Sequence, residues 1–117
     1  MELQYSVLEN GVKYLVLVGN LDMQGTAQVE LKFTAYAASE KAGVVVDLSQ
    51  VPFLASIGIR MLISSAKALH NRGGKLSLLN PSPQVAKVMN LAQIDTILPI
   101  FDSLDSACAE VLADLKN

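Results

Sequence analysis

Short apolar strand patterns alternate with helix patterns along this sequence, and that alternation constrains the fold more than any other feature. The run Val44-Val45-Val46 is apolar at consecutive positions, which is typical of a strand buried on both faces of a sheet. Further strands are predicted at residues 14–18, 75–79 and 97–101. Because helical patterns separate these strands, the sequence predicts an α/β fold with a mixed, mostly parallel sheet covered by helices.

An antiparallel hairpin is predicted at the start of the chain. Residues 2–9 alternate between polar and apolar side chains, as a half-buried strand does. Asn10-Gly11 follows, and this pair favours a tight hairpin turn because both residues tolerate positive φ. The predicted sheet therefore has about five strands, and residues 1–117 are expected to form one domain.

Four helices are predicted between and after these strands. They cover residues 26–38, residues 58–71, a segment capped by Ser82 with Pro83 at its first position, and a last segment from Asp102 or Ser103 through Leu115. The first helix carries two opposed apolar groups, and the pattern does not say which of them faces the core. These groups are Ala27, Leu31, Ala35 and Ala38 on one side, and Val29, Phe33 and Tyr36 on the other.

Composition and charge argue against several classes of function. The formal net charge is -2 and no basic run occurs, whereas binding to nucleic acid depends on clustered Lys and Arg. No segment reaches the ~18 apolar residues of a membrane span, and the first residues do not resemble a signal peptide, so a cytoplasmic location without membrane insertion is expected. Cys108 has no second cysteine to pair with and is predicted to be a small buried hydrophobic residue.

No motif for catalysis or cofactor binding is recognisable. Gly74-Lys75 lacks the other residues of a phosphate-binding P-loop. His70, the only histidine, is not accompanied by a nucleophile elbow. Asp22 and Asp47 could form an acid–base pair, but their spacing carries no specificity. The sequence therefore predicts a binding protein rather than an enzyme, with no cofactor and no metal.

The predicted loop at residues 48–57 contains a serine close to the start of the second helix. Ser56 lies just ahead of that predicted start, where unpaired N–H groups and a partial positive charge can accept an anion. A phosphoryl group at Ser56 would add about -1.5 to -2 charges to the surface of the loop. Two interpretations are open: Ser56 is a modification site, or its hydroxyl only caps the helix.

Several short motifs resemble those of STAS domains, the fold of anti-sigma-factor antagonists, and they occur in that family's order. They are G-x-L-D at residues 19–22, strand-D-L-S at Asp47, a serine loop before a helix, R-G-G before Lys75, and S-P-x-V from Ser82. The similarity spans nearly the whole chain and implies the STAS fold.

The resemblance also implies a function in partner switching. In this family the unphosphorylated antagonist binds an anti-sigma factor, itself a serine kinase of the histidine-kinase-like ATPase class. Phosphorylation of a loop hydroxyl releases the antagonist, and a serine phosphatase resets it. The family's loop typically reads D-S-S-G or D-S-T-G, whereas this loop reads Ala55-Ser56-Ile57-Gly58 and places Ile57 at the usual acceptor position.

Ser56 is therefore the expected phosphorylation site of this chain. The residues expected to bind the partner are Asp22, Phe53, Leu54, Ala55, Ile57, Gly58 and Arg60. Phe53, Leu54 and Ile57 could equally belong to the core, and Arg60 could be an ordinary exposed helix arginine. Ile57 also supports an alternative function, a STAS adaptor that is never phosphorylated and serves an ABC lipid transporter or a stress-signalling scaffold.

Overall fold

The computed structural model describes residues 1–113, so Leu115 of the predicted last helix lies outside the described residues. Within that range the elements follow the predicted order, with a short 3₁₀ turn at Ile94–Thr96 as an addition. The elements are β1 (Glu2–Val7), β2 (Lys13–Val18), α1 (Met23–Ala37), β3 (Gly43–Gln50), α2 (Ser56–Asn71), β4 (Lys75–Leu79), α3 (Pro83–Leu91), β5 (Ile100–Phe101) and α4 (Leu104–Ala113).

The described strands form one five-stranded sheet in the order β1-β2-β3-β4-β5. β1 and β2 are antiparallel, and every other neighbouring pair is parallel, which confirms the predicted mixed sheet. The hairpin is also confirmed, but the tight turn predicted at Asn10-Gly11 was wrong: the connection covers residues 8–12, and of this pair only Gly11 has a positive φ. Gly11 adopts a φ of 86°, a conformation that is readily accessible to glycine.

β3 lies at the centre of the sheet and is buried on both faces, as its valines predict. Val44 and Val46 belong to the larger core cluster, which also contains Phe33 from α1 and Leu62 from α2. Val45 points to the opposite face and belongs to a smaller cluster with Val111 of α4. This division follows from the alternation of side chains along a strand. Cys108 is buried in the smaller cluster, which confirms its predicted place in the core.

The structure determines which face of α1 meets the sheet. Val29 and Phe33 are buried, whereas Leu31 on the opposed side is 86% exposed. Tyr36 is half-buried, and its ring stacks on Tyr5 of β1 with ring centroids 4.0 Å apart. The group that contains the two aromatic side chains therefore faces the sheet, and it offers more apolar area for burial than the alanines opposite.

Two predicted helix starts were wrong, each by a few residues. α1 begins at Met23 instead of residue 26, because the Asp22 carboxylate caps it by accepting a hydrogen bond from the Gly25 N–H at 2.8 Å. Glycine occupies position 25 of this helix because a Cβ there would stand 2.0 Å from the carbonyl oxygen of Asn20. α2 begins at Ser56 instead of residue 58.

Strand boundaries also differ from the prediction, most clearly in β3 and β5. β3 continues to Gln50, although residues from 48 onward were predicted to be loop, because Leu48 alternates into the core after Asp47. β5 contains only Ile100–Phe101, and Ile97 is 54% exposed outside any strand. Among the described residues, no helix has the length and apolar character needed to cross a membrane.

The two faces of α1 give a direct test of this packing. Phe33→Ala is expected to lower the free energy of unfolding by about 3–5 kcal/mol, because it opens a cavity in the larger core. Leu31→Ala is the matched control and is expected to change that free energy by less than about 0.5 kcal/mol. Urea denaturation followed by circular dichroism measures both. Equal losses in the two variants would contradict the assignment of the buried face.

Candidate functional site

Three helices begin at one edge of the sheet. β2, β3 and β4 are parallel, so their carboxyl ends meet at this edge, and α1, α2 and α3 follow them in turn. In open α/β sheets this is the edge where binding sites form. The loops that precede α1 and α2, together with the first turns of α2, contain the residues that the sequence singled out.

The loop between β3 and α2 is fixed to the loop between β2 and α1. The Leu21 N–H donates to the Phe53 carbonyl at 2.9 Å, and the Ala55 N–H donates to the Leu21 carbonyl at 3.0 Å. These bonds form a parallel bridge between Leu21 and Leu54, whose side chains are both buried. From the other side, the Ser82 hydroxyl donates to the Val51 carbonyl at 3.0 Å. The position of the loop is therefore determined by the core beneath it.

Gly58 allows the first turn of α2 to lie directly against Leu21. A Cβ at this position would stand 2.9 Å from both the Cβ and the carbonyl oxygen of Leu21, and 3.0 Å from Leu54. Real Cβ atoms essentially never approach other atoms below 3.0 Å, so a side chain here would force the two loops apart. Packing therefore explains the glycine of the Ala55-Ser56-Ile57-Gly58 sequence.

Ser56 is the first residue of α2, and its side chain is exposed. The N-cap is Ala55, in an extended conformation and without a side-chain hydrogen bond, so the interpretation of Ser56 as the N-cap was wrong. The helix provides no partners for the N–H groups of Ser56 and Ile57, because the first turn of any helix lacks them. Within residues 1–113, the Ser56 hydroxyl makes no hydrogen bond.

The start of α2 differs from those of its neighbours α1 and α3. Asp22 caps α1 through its carboxylate, and Ser82 caps α3 by accepting a hydrogen bond from Val85 N–H at 3.4 Å. Among the three helices that begin at this edge in the described chain, α2 is the one without a side-chain cap. The unpaired N–H groups beside Ser56 consequently remain open to an external acceptor.

The predicted site residues fall into three classes of exposure. Phe53 is 52% exposed, and Ser56 and Arg60 are exposed as well. Asp22, Ala55 and Ile57 are half-buried. Leu54 is 3% exposed and Gly58 is buried, so the expectation that these two contact a partner directly does not fit the structure, because both pack inward against Leu21.

One exposed apolar residue at this edge was missed by the sequence analysis. Met23 is 74% exposed and directly follows Asp22. It was overlooked because the helix was predicted to begin three residues later, which placed Met23 in an unassigned loop. We call the set Asp22, Met23, Phe53, Ser56, Ile57 and Arg60 the edge surface.

Asp47 and Asp22 do not form an acid–base pair, because each carboxylate has a structural role. Asp47 accepts a hydrogen bond from the Tyr14 hydroxyl at 2.5 Å and another from the Ser49 N–H at 2.8 Å. Burial raises the pKa of Tyr14 to about 12, with further contributions from the hydrogen bond and the charge of Asp47. Tyr14 therefore stays a neutral donor at ordinary pH, and Asp47 orders the end of β3.

In residues 1–113, no cluster of three or more His, Cys, Asp or Glu side chains could hold a metal ion.

Comparison with known proteins places this architecture in a family. The model of the STAS domain matches residues 7–107. The anti-sigma-F factor antagonist RsfB of Mycobacterium tuberculosis is 26% identical over 102 residues, which cover 87% of this chain and 83% of that protein. The crystal structure of an anti-sigma factor antagonist from Mycobacterium paratuberculosis superposes with a TM-score of 0.80 at 25% identity and covers 95% of both chains.

The fold is also shared with SpoIIAA, whose structure is known in two forms. The unphosphorylated anti-sigma factor antagonist SpoIIAA superposes with a TM-score of 0.73 at 20% identity, covering 91% of this chain and 92% of that one. The phosphorylated form from Bacillus superposes with a TM-score of 0.64 at 19% identity, covering 93% and 98%. At these identities the likeness establishes the fold alone.

The contact between Gly58 and Leu21 can be tested by adding one methyl group. Gly58→Ala is expected to lower the free energy of unfolding by about 1–3 kcal/mol through overpacking. This loss is expected even though alanine is about 1 kcal/mol more favourable than glycine inside a helix. Ser64→Ala, at an exposed position of the same helix, is the control and should change stability by less than about 0.5 kcal/mol. If Gly58→Ala were as stable as Ser64→Ala, the close approach would be refuted.

Proposed function

The chain belongs to the STAS domain family, and we propose that residues 1–117 are a single-domain anti-sigma factor antagonist that acts by partner switching. In this proposal the unphosphorylated protein binds an anti-sigma factor through its edge surface. Binding frees the sigma factor, so the protein regulates transcription in the cytoplasm without catalysing a reaction. The antagonists with which the chain aligns over most of its length support this general role.

The proposed switch is phosphorylation of Ser56. A serine kinase of the histidine-kinase-like ATPase class, which is the anti-sigma factor itself, transfers the phosphoryl group, and a serine phosphatase removes it. The single observation that carries this assignment is the position of Ser56: its exposed hydroxyl is at the first residue of a helix without a side-chain cap. The phosphoryl oxygens can accept hydrogen bonds from the open N–H groups there, so modification is compatible with the fold.

The departure of this loop from the family's usual sequence supports the same residue. Ile57 occupies the usual acceptor position and has no hydroxyl, whereas Ser56 is one residue away and exposed. Ala55 occupies the position of the usual aspartate. An aspartate there would place a carboxylate at the N-cap, where it could occupy the N–H groups and repel an incoming phosphate. Ala55 leaves the N–H groups unoccupied and adds no negative charge that would repel the phosphoryl group.

The edge surface has the mixed character of a protein-binding site. Phe53 and Met23 offer exposed apolar area, and Ile57 adds a half-buried apolar side chain in the first turn of α2. Exposed aromatic and methionine side chains are enriched at protein interfaces. Arg60 is one turn after Ser56 on α2, and helical neighbours at this spacing can interact, so Arg60 is available to pair with a carboxylate of the partner. A phosphoryl dianion on Ser56 would compete with the partner's carboxylate for the charge of Arg60.

A second candidate function rests on Ile57. If Ser56 is not a substrate, the loop has no acceptor at the family's usual position, and the same edge surface would dock permanently on another protein. The chain would then be a constitutive STAS adaptor, such as a subunit of an ABC lipid transporter or of a stress-signalling scaffold. This candidate and the switch differ in one property, the sensitivity of binding to charge at Ser56.

Charge at Ser56 can therefore be tested directly with the cognate anti-sigma kinase. Ser56→Glu is expected to weaken binding at least about tenfold, which corresponds to 1.4 kcal/mol, because it places a carboxylate in the middle of the edge surface. Ser64→Glu adds the same charge at an exposed position eight residues further along α2, and it should bind like the native chain. Isothermal titration calorimetry measures all three affinities.

Ser56→Ala completes the experiment. It should retain the native affinity and lose phosphate incorporation when the kinase and ATP are supplied. A Ser56→Glu variant that binds the kinase as tightly as the native chain would refute the proposed phosphorylation switch and favour the constitutive adaptor. Circular dichroism of each variant controls for folding, and a glutamate in the first turn of a helix is compatible with its dipole.

A further inference from the structure

A cavity of about 320 Å³ lies at the end of α2 that is remote from Ser56. Its walls come from the last turns of α2, the beginning of β4 and the segment that leads into β5. α2 has 16 residues, and at 1.5 Å per residue it separates the two ends by roughly 24 Å. The cavity is therefore distinct from the edge surface, and what it binds does not depend on the proposed function.

The walls of this cavity are mainly apolar. The apolar side chains are Ala66, Leu76, Ile97, Leu98 and Pro99. Ile97 is 54% exposed and lines the cavity beside Leu98, which is buried. A volume near 300 Å³ with mostly apolar walls and a few polar groups is typical of small-molecule sites at the lower end of their size range. An apolar chain in the cavity would cover Ile97.

Among the described residues, the polar side chains that line the cavity include two lysines and no carboxylate. They are Lys67, His70, Asn71 and Lys75. Lys75 is held by Glu110 of α4 through an ion pair at 2.5 Å. Within residues 1–113, Lys67 has no carboxylate at ion-pair distance, and it is exposed at the rim. The charge at the cavity therefore favours an anion, and Lys67 is the side chain best placed to pair with it.

We propose that this cavity binds a small amphipathic carboxylate, with its apolar chain against Ile97 and Leu76 and its carboxylate at Lys67. Glu110 neutralises Lys75, which leaves Lys67 as the lining lysine to pair with a ligand, and one lysine matches a single negative charge. A cationic or uncharged molecule with the same chain lacks the pairing with Lys67. The ligand class is therefore defined by two features, an apolar chain and one negative charge.

Octanoate is a suitable probe, and amide-resonance NMR of the full chain locates where it binds. Saturable shifts are expected at residues that line the cavity, such as His70, Leu76 and Ile97, and not at the edge surface. Octylamine has the same chain with the opposite charge, and it should produce no saturable shift at these residues. Octanol should bind at least about tenfold more weakly than octanoate, since it forms no charge-assisted bond.

Two exposed substitutions with matched controls test the residues involved. Lys67→Gln is expected to weaken octanoate about tenfold, whereas Lys87→Gln on α3, which does not line the cavity, should leave the affinity unchanged. Ile97→Glu should abolish binding, because it puts a carboxylate where the apolar chain lies. Leu91→Glu, at a residue that is 76% exposed elsewhere, should not.

Three results would overturn the proposal. They are the absence of saturable octanoate shifts at the cavity, equal shifts with octylamine, and unchanged affinity in Lys67→Gln. All four substituted side chains are exposed, so the variants are expected to fold, and circular dichroism verifies this. Native-like binding of Ser56→Glu to the anti-sigma kinase, which would refute the switch, would leave these outcomes unaffected, so the two proposals fail independently.

Discussion

The bridge between Leu21 and Leu54 is the contact on which the edge surface depends. Two backbone hydrogen bonds join the loops that follow β2 and β3, and both side chains are buried beneath them. Gly58 brings the first turn of α2 against the same leucine at a distance that excludes any side chain. As a result, the loop that ends at Asp22 and the loop that leads to Ser56 lie side by side, although they are far apart in sequence.

A fixed loop of this kind suits a switch that works by charge. Packed structure is stiff, so a phosphoryl group on an exposed serine at a helix start changes the electrostatics of the surface more than the conformation below it. The absence of a side-chain cap at Ala55 has a cost, because a capping residue stabilises a helix by about 1 kcal/mol. In the proposed mechanism that loss is offset in the modified protein, where the phosphoryl oxygens accept from the same N–H groups.

The fold followed from the sequence because its main determinants are local. Each determinant acts within a few residues: the apolar run at Val44–Val46, the turn at Gly11 and the helix start at Ser82-Pro83. The resemblance to STAS domains then predicted how these elements are arranged. The apolar face of α1 could not be assigned in this way. Its two groups have similar spacing, and they are distinguished by tertiary contacts: Phe33 is buried in the core, and Tyr36 stacks on Tyr5 of β1.

The site was predictable as a segment, but its individual residues were not. The STAS-like motif located the loop between β3 and α2. The inward position of Leu54 in that loop, however, depends on a bridge to Leu21, which is distant in sequence. The exposure of Met23 depends on a helix start that Asp22 sets by capping, whereas the motif suggested only that Asp22 faces a partner. The cavity at Lys67 and Ile97 combines elements that carry no common motif, so no sequence pattern indicated it.

Phosphorylation of Ser56 distinguishes the switch from every other function proposed for this fold, and phosphopeptide mass spectrometry on the protein recovered from its own cells detects it. Samples taken across growth conditions, before and after phosphatase treatment, would cover both states. Partner switching predicts a phosphatase-sensitive phosphate localised to Ser56 in a fraction of the molecules. A loop that stays unmodified under every condition, or a phosphate found only at another residue, would contradict it.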